Sequence, residues 1–218
     1  MYSCSQAPSC CQIVSYCLIT AIYLVFMAGL QPYLDTAPRI ALLVLLHIAL
    51  LFLVLSALFV SLHDPVDPNI PRYRNQGEQA FRTEELERLL FCDACNSYVD
   101  PSAKHCRVCD RCVAHFDHHC MWVGNCIGRT NYKMFILMVV SAVAVMVLFI
   151  AAAGEASEDD WKEHEAGMIV AWVTLAVVAP FLVLVLILLV FHIYLITQGK
   201  TTYEFLVERR EREQAEEV

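Results

Sequence analysis

The chain is 218 residues long, 58% hydrophobic and 17% charged, with a mean hydropathy of +0.53 and a formal net charge of −8. A soluble globular chain is roughly 45–50% apolar and about 25% charged, so an ordinary water-soluble domain is excluded, as are disorder, collagen and coiled coil. The acidic balance offers no basic face for nucleic acid, and the eleven cysteines matter by their placement more than their number.

A helix needs about 20 apolar residues to cross a hydrocarbon core of about 30 Å. Four segments qualify: Cys11–Leu30, Ile40–Leu62, Met134–Ala153 and Ala166–Ile196, all free of Lys, Arg, Asp and Glu. Backbone groups in lipid must pair within their own segment, so the spacing predicts four transmembrane helices, the last kinked at Pro180. A signal peptide would carry a basic n-region, and Met1–Cys17 holds no Lys or Arg. Nine of the fifteen basic residues fall between His63 and Lys133 and four in the tail from Lys200, against Arg39 and Lys162 on the other side. This bias predicts that the long connection and both termini are cytosolic, with the acidic Gly154–Glu165 loop opposite. The expected organisation is an N-terminal tail with helices 1–2 over 1–62, a cytosolic connection over 63–133, helices 3–4 over 134–196 and a cytosolic tail over 197–218. His47 and His192 lie in the apolar segments, where the simplest expectation is a hydrogen-bonded or near-interface residue.

Within the connection, Asp64-Pro65-Val66-Asp67-Pro68 ends the second helix and is expected to turn the chain along the membrane surface. Gly77–Leu90 reads as a short helix that Thr83 would cap. Residues 91–132 hold seven Cys (92, 95, 106, 109, 112, 120, 126) and four His (105, 115, 118, 119) with almost no helix or strand periodicity. Such a segment cannot bury a core unaided and needs staples. Disulfides fit poorly with a reducing cytosol. Zinc fits better: Cys92-x2-Cys95, Cys106-x2-Cys109 and Cys109-x2-Cys112 each aim two thiolates at one tetrahedral ion. Two structural sites consume eight ligands of the eleven available, which leaves three; a cysteine not needed for metal is a candidate nucleophile, and spacing alone does not identify it. Asp117-His118-His119-Cys120 is where a nucleophile, a base and an orienting carboxylate meet. Adjacent histidines point different ways, so one can serve zinc while the other serves Cys120.

At Asp117–Cys120 the sequence resembles the DHHC family of protein S-acyltransferases (palmitoyltransferases). The resemblance extends to His105-Cys106-x2-Cys109-x2-Cys112, to Trp122–Gly128 with Asn131–Phe135, to Thr201-Thr202-Tyr203-Glu204 as the T-T-x-E motif, and to Asp64-Pro65. Val66 replaces the family's Gly after Asp-Pro, Met121 stands where Pro often follows the motif cysteine, and 14 residues follow Glu204. The family fold implied is an all-α integral membrane protein with four transmembrane helices and a cytosolic cysteine-rich zinc-binding domain of little regular secondary structure. It implies two interleaved structural zinc sites, one of Cys92, Cys95, His105 and Cys112 and one of Cys106, Cys109, His118 and Cys126. Asp117, His119 and Cys120 are then the catalytic group, and His115 is spare.

The implied reaction is transfer of a long-chain acyl group, palmitoyl above all, from acyl-CoA to cysteine thiols of target proteins through an acyl-Cys120 thioester. Asp117 would hold the His119 tautomer, and His119 would take the Cys120 proton. The expected partners are the bilayer, acyl-CoA and proteins with juxtamembrane cysteines, and the expected location is an endomembrane (ER or Golgi) or the plasma membrane. Phe135, Met138, Trp172 and Phe181 are candidates to line the acyl chain, although ordinary helix packing explains each. Lys104, Arg107, Arg111, Arg129 and Lys133 could meet the coenzyme A phosphates, although the positive-inside bias explains them equally. The rival reading is a catalytically inert zinc-binding membrane adaptor. Thr201–Glu204 also reads as a capping box, Cys4, Cys10 and Cys11 as acceptors of acyl groups, and Glu208–Glu217 as a solvated helix face.

Overall fold

The computed structural model describes residues 10–25, 27, 36–155 and 165–216. In chain order the elements are α1 (Cys10–Val25), α2 (Thr36–Leu62), α3 (Asn69–Gln76), a 3-10 turn (Gly77–Ala80), α4 (Thr83–Leu86), β1 (Leu90–Cys92), β2 (Ser97–Val99), β3 (Lys104–Cys106), β4 (Arg111–Val113), β5 (His118–Cys120), β6 (Asn125–Ile127), α5 (Tyr132–Glu155), α6 (Glu165–Gln198) and α7 (Thr202–Glu216). The fold is mostly helical. Among the described residues three helices are long and apolar enough to cross a membrane: Ile40–Leu62, Tyr132–Ala152 and Leu175–Gln198. Leu51, Val140, Leu184, Ile187 and Val190 are exposed on them, a surface that water solvates badly and lipid solvates well. α1 contributes a shorter apolar stretch, Cys10–Ala21. The far end of the expected first span at 28–30, the acidic stretch 156–164 and Cys4 lie outside the described residues. Pro180 is inside α6, which runs on to Gln198.

The chain forms two compact units. One comprises the described residues of 13–57 and 136–191 and is wholly helical. Its core is Leu46, Leu53, Val145, Phe149 and Ala152, with Ile19, Met138 and Leu175 packed against it. His47 is hydrogen-bonded there, Nδ1 to the Leu43 carbonyl at 2.6 Å and Nε2 to Tyr23 Oη at 3.1 Å.

The other unit comprises the described residues of 1–12, 58–135 and 192–218. Here an all-α expectation needs correcting. The cysteine-rich region folds as three antiparallel two-stranded hairpins, β1–β2, β3–β4 and β5–β6. Strands of three residues are too short to print an alternating pattern, which is why periodicity did not reveal them. Each turn ends on a residue with positive φ: Asn96 (46°), Asp110 (49°) and Gly124 (64°). Asn, Asp and Gly tolerate that left-handed conformation. The hairpin interior mixes sulfur with apolar groups: Cys95, Cys106, Cys109, Cys112 and Cys126 are buried beside Ile70, Val99, Ala103 and Val113.

Buried polar side chains tie the hairpins to the helices. The Pro-rich exit from α2 runs along β4, with Val66 bridged to Val113 and the Asp67 N–H donating to the Cys112 carbonyl at 2.9 Å. The fully buried Asp67 carboxylate accepts from the Asn69 and Asp100 amides at 2.9 and 2.8 Å. Burial pushes its pKa up, while those amides pull it back. Asp64 pairs with buried Arg111 at 2.5 Å. Asn125 Nδ2 donates to the Val60 and His63 carbonyls at the end of α2, at 2.8 and 2.7 Å. Buried Asn131 takes the Gly128 amide at 2.9 Å and donates to the Cys126 carbonyl at 2.8 Å, just before α5. Thr83 does not cap α4; Arg82 is at that position and makes no side-chain cap bond.

Candidate functional site

Two sets of four side chains converge on metal-sized centres. Cys92, Cys95, His105 and Cys112 form the first, and Cys106, Cys109, His119 and Cys126 the second, with ligand atoms within 4.8 Å of one another in each. In the first, Cys95 Sγ is 3.7 Å from Cys112 Sγ and 3.3 Å from His105 Nδ1. In the second, Cys126 Sγ is 3.2 Å from Cys109 Sγ, and His119 Nδ1 is 3.3 Å from Cys109 Sγ. Sulfurs bound to one tetrahedral zinc at about 2.3 Å would be about 3.8 Å apart, which the first set matches at 3.7 Å and the second would reach by widening from 3.2 Å. Burial, and the sulfurs beside them, push the Cys112 and Cys126 thiols well up.

The second set exchanges the two motif histidines relative to the sequence reading. His119, expected as the partner of Cys120, stands with the cysteines; His118, expected as a ligand, turns the other way. The reason is strand alternation. β5 contains His118, His119 and Cys120 in succession, so neighbours face opposite sides, and His119 lies opposite Cys126 in the β5–β6 register.

A signal for this was present in the numbering. Adding 14 to Cys92, Cys95, His105 and Cys112 gives Cys106, Cys109, His119 and Cys126. Cys92, Cys106 and Cys120 end their strands opposite Ser97, Arg111 and Asn125, also at steps of 14. Each centre takes its first two cysteines from one hairpin and its His and last Cys from the next. Cys120 is therefore the first ligand position of a third hairpin. The matching second position is Val123, and among the described residues no further hairpin follows.

His118 Nδ1 lies 2.6 Å from Asp117 Oδ2. Asp117 is 2% exposed and also accepts from the Thr202 amide at 2.9 Å and the Thr202 hydroxyl at 2.8 Å. Burial works to raise its pKa, but His118 and the two Thr202 bonds hold it below the ordinary carboxylate value. Burial likewise pulls His118 down, while Asp117 and a hydrogen bond to Cys120 push it up to about 9. With Nδ1 committed to Asp117, Nε2 is left for Cys120. Cys120 is buried, uncrosslinked and absent from both metal-sized sets. The T-T-x-E stretch thus has two jobs. Thr201 and Glu204 cap α7 reciprocally, at 2.8 Å and 3.2 Å, and Thr202 grips Asp117. Tyr203 adds ring contacts with Phe116 at 5.9 Å and with Lys104 Nζ at 5.4 Å.

The remaining candidates are dispersed. Arg111 is committed to Asp64, Arg129 lies 3.8 Å from Asp100, and Arg107 and Lys133 are exposed. His115 is exposed, with positive φ. Phe135 is buried with its ring 5.2 Å from that of His118, whereas Trp172 and Phe181 are exposed. Asp64, Asp67, Asn125 and Asn131 lie in stretches that the sequence singles out, but their buried contacts, such as Asp64 with Arg111, could not be read there, because a partner distant in the chain leaves no local mark.

A carboxylate–histidine–cysteine group on the third of three cysteine-rich hairpins, anchored by a T-T-x-E tail, defines a class. Residues 85–209 match the family model described as DHHC palmitoyltransferase, and the chain belongs to that family. It is 43% identical over 124 residues to "Probable protein S-acyltransferase 16" of Arabidopsis thaliana, covering 54% of this chain and 43% of that protein. It is 37% identical over 142 residues to "Palmitoyltransferase ZDHHC8" of Mus musculus, covering 63% and 18%. With "Palmitoyltransferase ZDHHC5" of Rattus norvegicus it shares 34% over 186 residues, covering 78% and 25%. The chain thus spans less than half the length of each of these three relatives.

Proposed function

We propose that the chain is a protein S-acyltransferase that moves a long-chain acyl group, palmitoyl foremost, from acyl-CoA to cysteines of target proteins by a ping-pong route. The observation that carries this is the 2.6 Å bond between Asp117 and His118, beside Cys120, a buried cysteine that neither Cys3His set uses and whose proximity helps to raise the His118 pKa. Cys120 gives its proton to His118, and the thiolate attacks the acyl carbonyl carbon. The bond from that carbon to the CoA sulfur breaks, and the departing CoA thiolate takes the proton from His118. A target thiol then passes its proton to His118 and attacks acyl-Cys120, which restores the Cys120 thiolate. Asp117 fixes the tautomer and offsets the imidazolium charge. One thioester replaces another, so no energy source is needed.

The two Cys3His sets would each hold a structural zinc, which supplies a cross-link between consecutive hairpins. Four membrane-spanning helices, with α1 as the first, would place the cysteine-rich region and both ends in the cytosol. Thirteen of fifteen basic residues on that side support the orientation. Acceptors would be proteins with juxtamembrane cysteines, and the setting an endomembrane or the plasma membrane. The test is purified protein in detergent with labelled palmitoyl-CoA. Hydroxylamine-labile label that Cys120→Ser and His118→Gln both abolish supports the reading. An unlabelled wild-type chain that still holds two zinc ions would instead make it an inert adaptor.

A further inference from the structure

His192 is the last main feature of this unit without a role. It comes from α6 and is 1% exposed. Its Nδ1 lies 3.0 Å from Tyr132 Oη, at the start of α5. A hydrogen bond to Tyr132 alone would be ordinary helix packing. The ring, however, also stands against the reacting group: its centroid is 6.0 Å from that of His118. Its ligand nitrogen shares one 4.8 Å cluster with those of Asp117 and His118. Phe135 closes the remaining side, 5.2 Å from His118 and 5.1 Å from His192. A titratable side chain inside an apolar segment is costly to keep and is usually there for function.

The hydrogen-bond arithmetic selects one tautomer. A neutral imidazole has one donor and one acceptor nitrogen. If Tyr132 O–H donates to Nδ1, the ring proton is on Nε2, and the ring beside Asp117 and His118 carries a donor on its other nitrogen. The opposite tautomer leaves a lone pair there. A doubly protonated ring would put a second cation beside His118.

We propose that Tyr132 and His192 form a positioning arm that holds Asp117 and His118 in the arrangement that reaches Cys120. The idea rests on the acyltransferase reading only for its rate assay. Losing the arm lets the His118 ring swing, so the chemical step slows while acyl-CoA binding is retained. The experiment uses the full chain in detergent with His192→Phe, His192→Gln, Tyr132→Phe and the His192→Phe/Tyr132→Phe double variant. Unfolding temperature and zinc content are followed as fold controls. His192→Phe and Tyr132→Phe should each lower kcat for Cys120 acylation about tenfold with KM for palmitoyl-CoA unchanged, and the double variant should be no slower than the worse single. The Gln amide, which can donate from near the position of Nε2, should recover to within about threefold of wild type. Multiplying effects in the double variant, a change in KM alone, or a Gln variant as slow as Phe would overturn the arm. If wild type takes no label, the acyltransferase reading fails separately. The arm is then judged by iodoacetamide alkylation of Cys120, which the Phe variants must slow and the Gln variant restore.

Discussion

Thr202→Val isolates what the tail does for the reaction. Valine keeps the shape of threonine and deletes one donor, the hydroxyl 2.8 Å from Asp117 Oδ2. The Thr202 amide bond to Oδ1 remains, as does His118 on Oδ2. A hydrogen bond to a buried charged group contributes about 1.5–3 kcal/mol. If that energy is spent on orienting Asp117, and through it His118, the acylation rate should fall by about tenfold to about 150-fold, at 1.36 kcal/mol per decade. Thr202→Ser keeps the donor and should stay within about threefold. Thr201→Ala removes only the cap bond from Thr201 Oγ1 to the Glu204 amide; it should cost α7 about 1 kcal/mol and leave the rate near wild type. The assay is single-turnover labelling of Cys120 by palmitoyl-CoA, normalised to folded protein. A Val variant at wild-type rate, or a Thr201→Ala variant as slow as Val, would refute the division of labour between the two threonines.

Other expectations follow from the same geometry. His119→Gln should lower zinc from two ions per chain to one, whereas His118→Gln should keep both ions and lose Cys120 acylation; elemental analysis of the pair reverses the assignment if the losses are swapped. Gly128→Ala would put a Cβ 2.5 Å from Val113 Cγ1 and 2.9 Å from the Ala114 carbonyl oxygen; overpacking of this kind costs about 1–3 kcal/mol, which a lowered unfolding temperature would register and an unchanged one would contradict. Chelation should open the three hairpins to proteolysis between residues 91 and 132, because the Cys3His sets join consecutive hairpins; an unchanged digestion pattern would mean that the remaining packing suffices. Val123→Cys should rebuild the missing second ligand position beside Cys120, protecting Cys120 from alkylation in zinc-replete buffer and releasing it with chelator, while Val123→Ala should do neither.

What the sequence disclosed depended on whether a property was local. Ile40–Leu62 is a run of uncharged residues and is legible wherever it occurs; α2 contains it whole. Thr201 and Glu204 are three residues apart, and a three-residue spacing is all a capping box requires. Asp117 and Thr202 are 85 residues apart and meet only because α6 ends where β5 begins. Nothing local marks that contact, and the same holds for Asn125 on the end of α2 and for Asp64 with Arg111.

The exchanged histidines show a different kind of loss. Two adjacent imidazoles are chemically alike, so counting ligands leaves either free to take zinc. Strand alternation decides between them, and it can be applied only once β5 is recognised as a strand. The 14-residue step supplies the same answer without coordinates, since His105 maps to His119 and nothing maps a ligand onto His118. It also gives a physical reason for an unbound thiol. A third hairpin repeats the geometry that delivers Cys92 and Cys106 to a metal, but Val123 withholds the second sulfur. The chain then leaves the repeat for α5 before a histidine and a final cysteine can come round. Cys120 is buried at the end of β5, paired with Asn125, on the strand that also carries His118. As the proposed nucleophile, Cys120 needs no flexible loop to present it, because it sits on β5 beside His119 of the second Cys3His set.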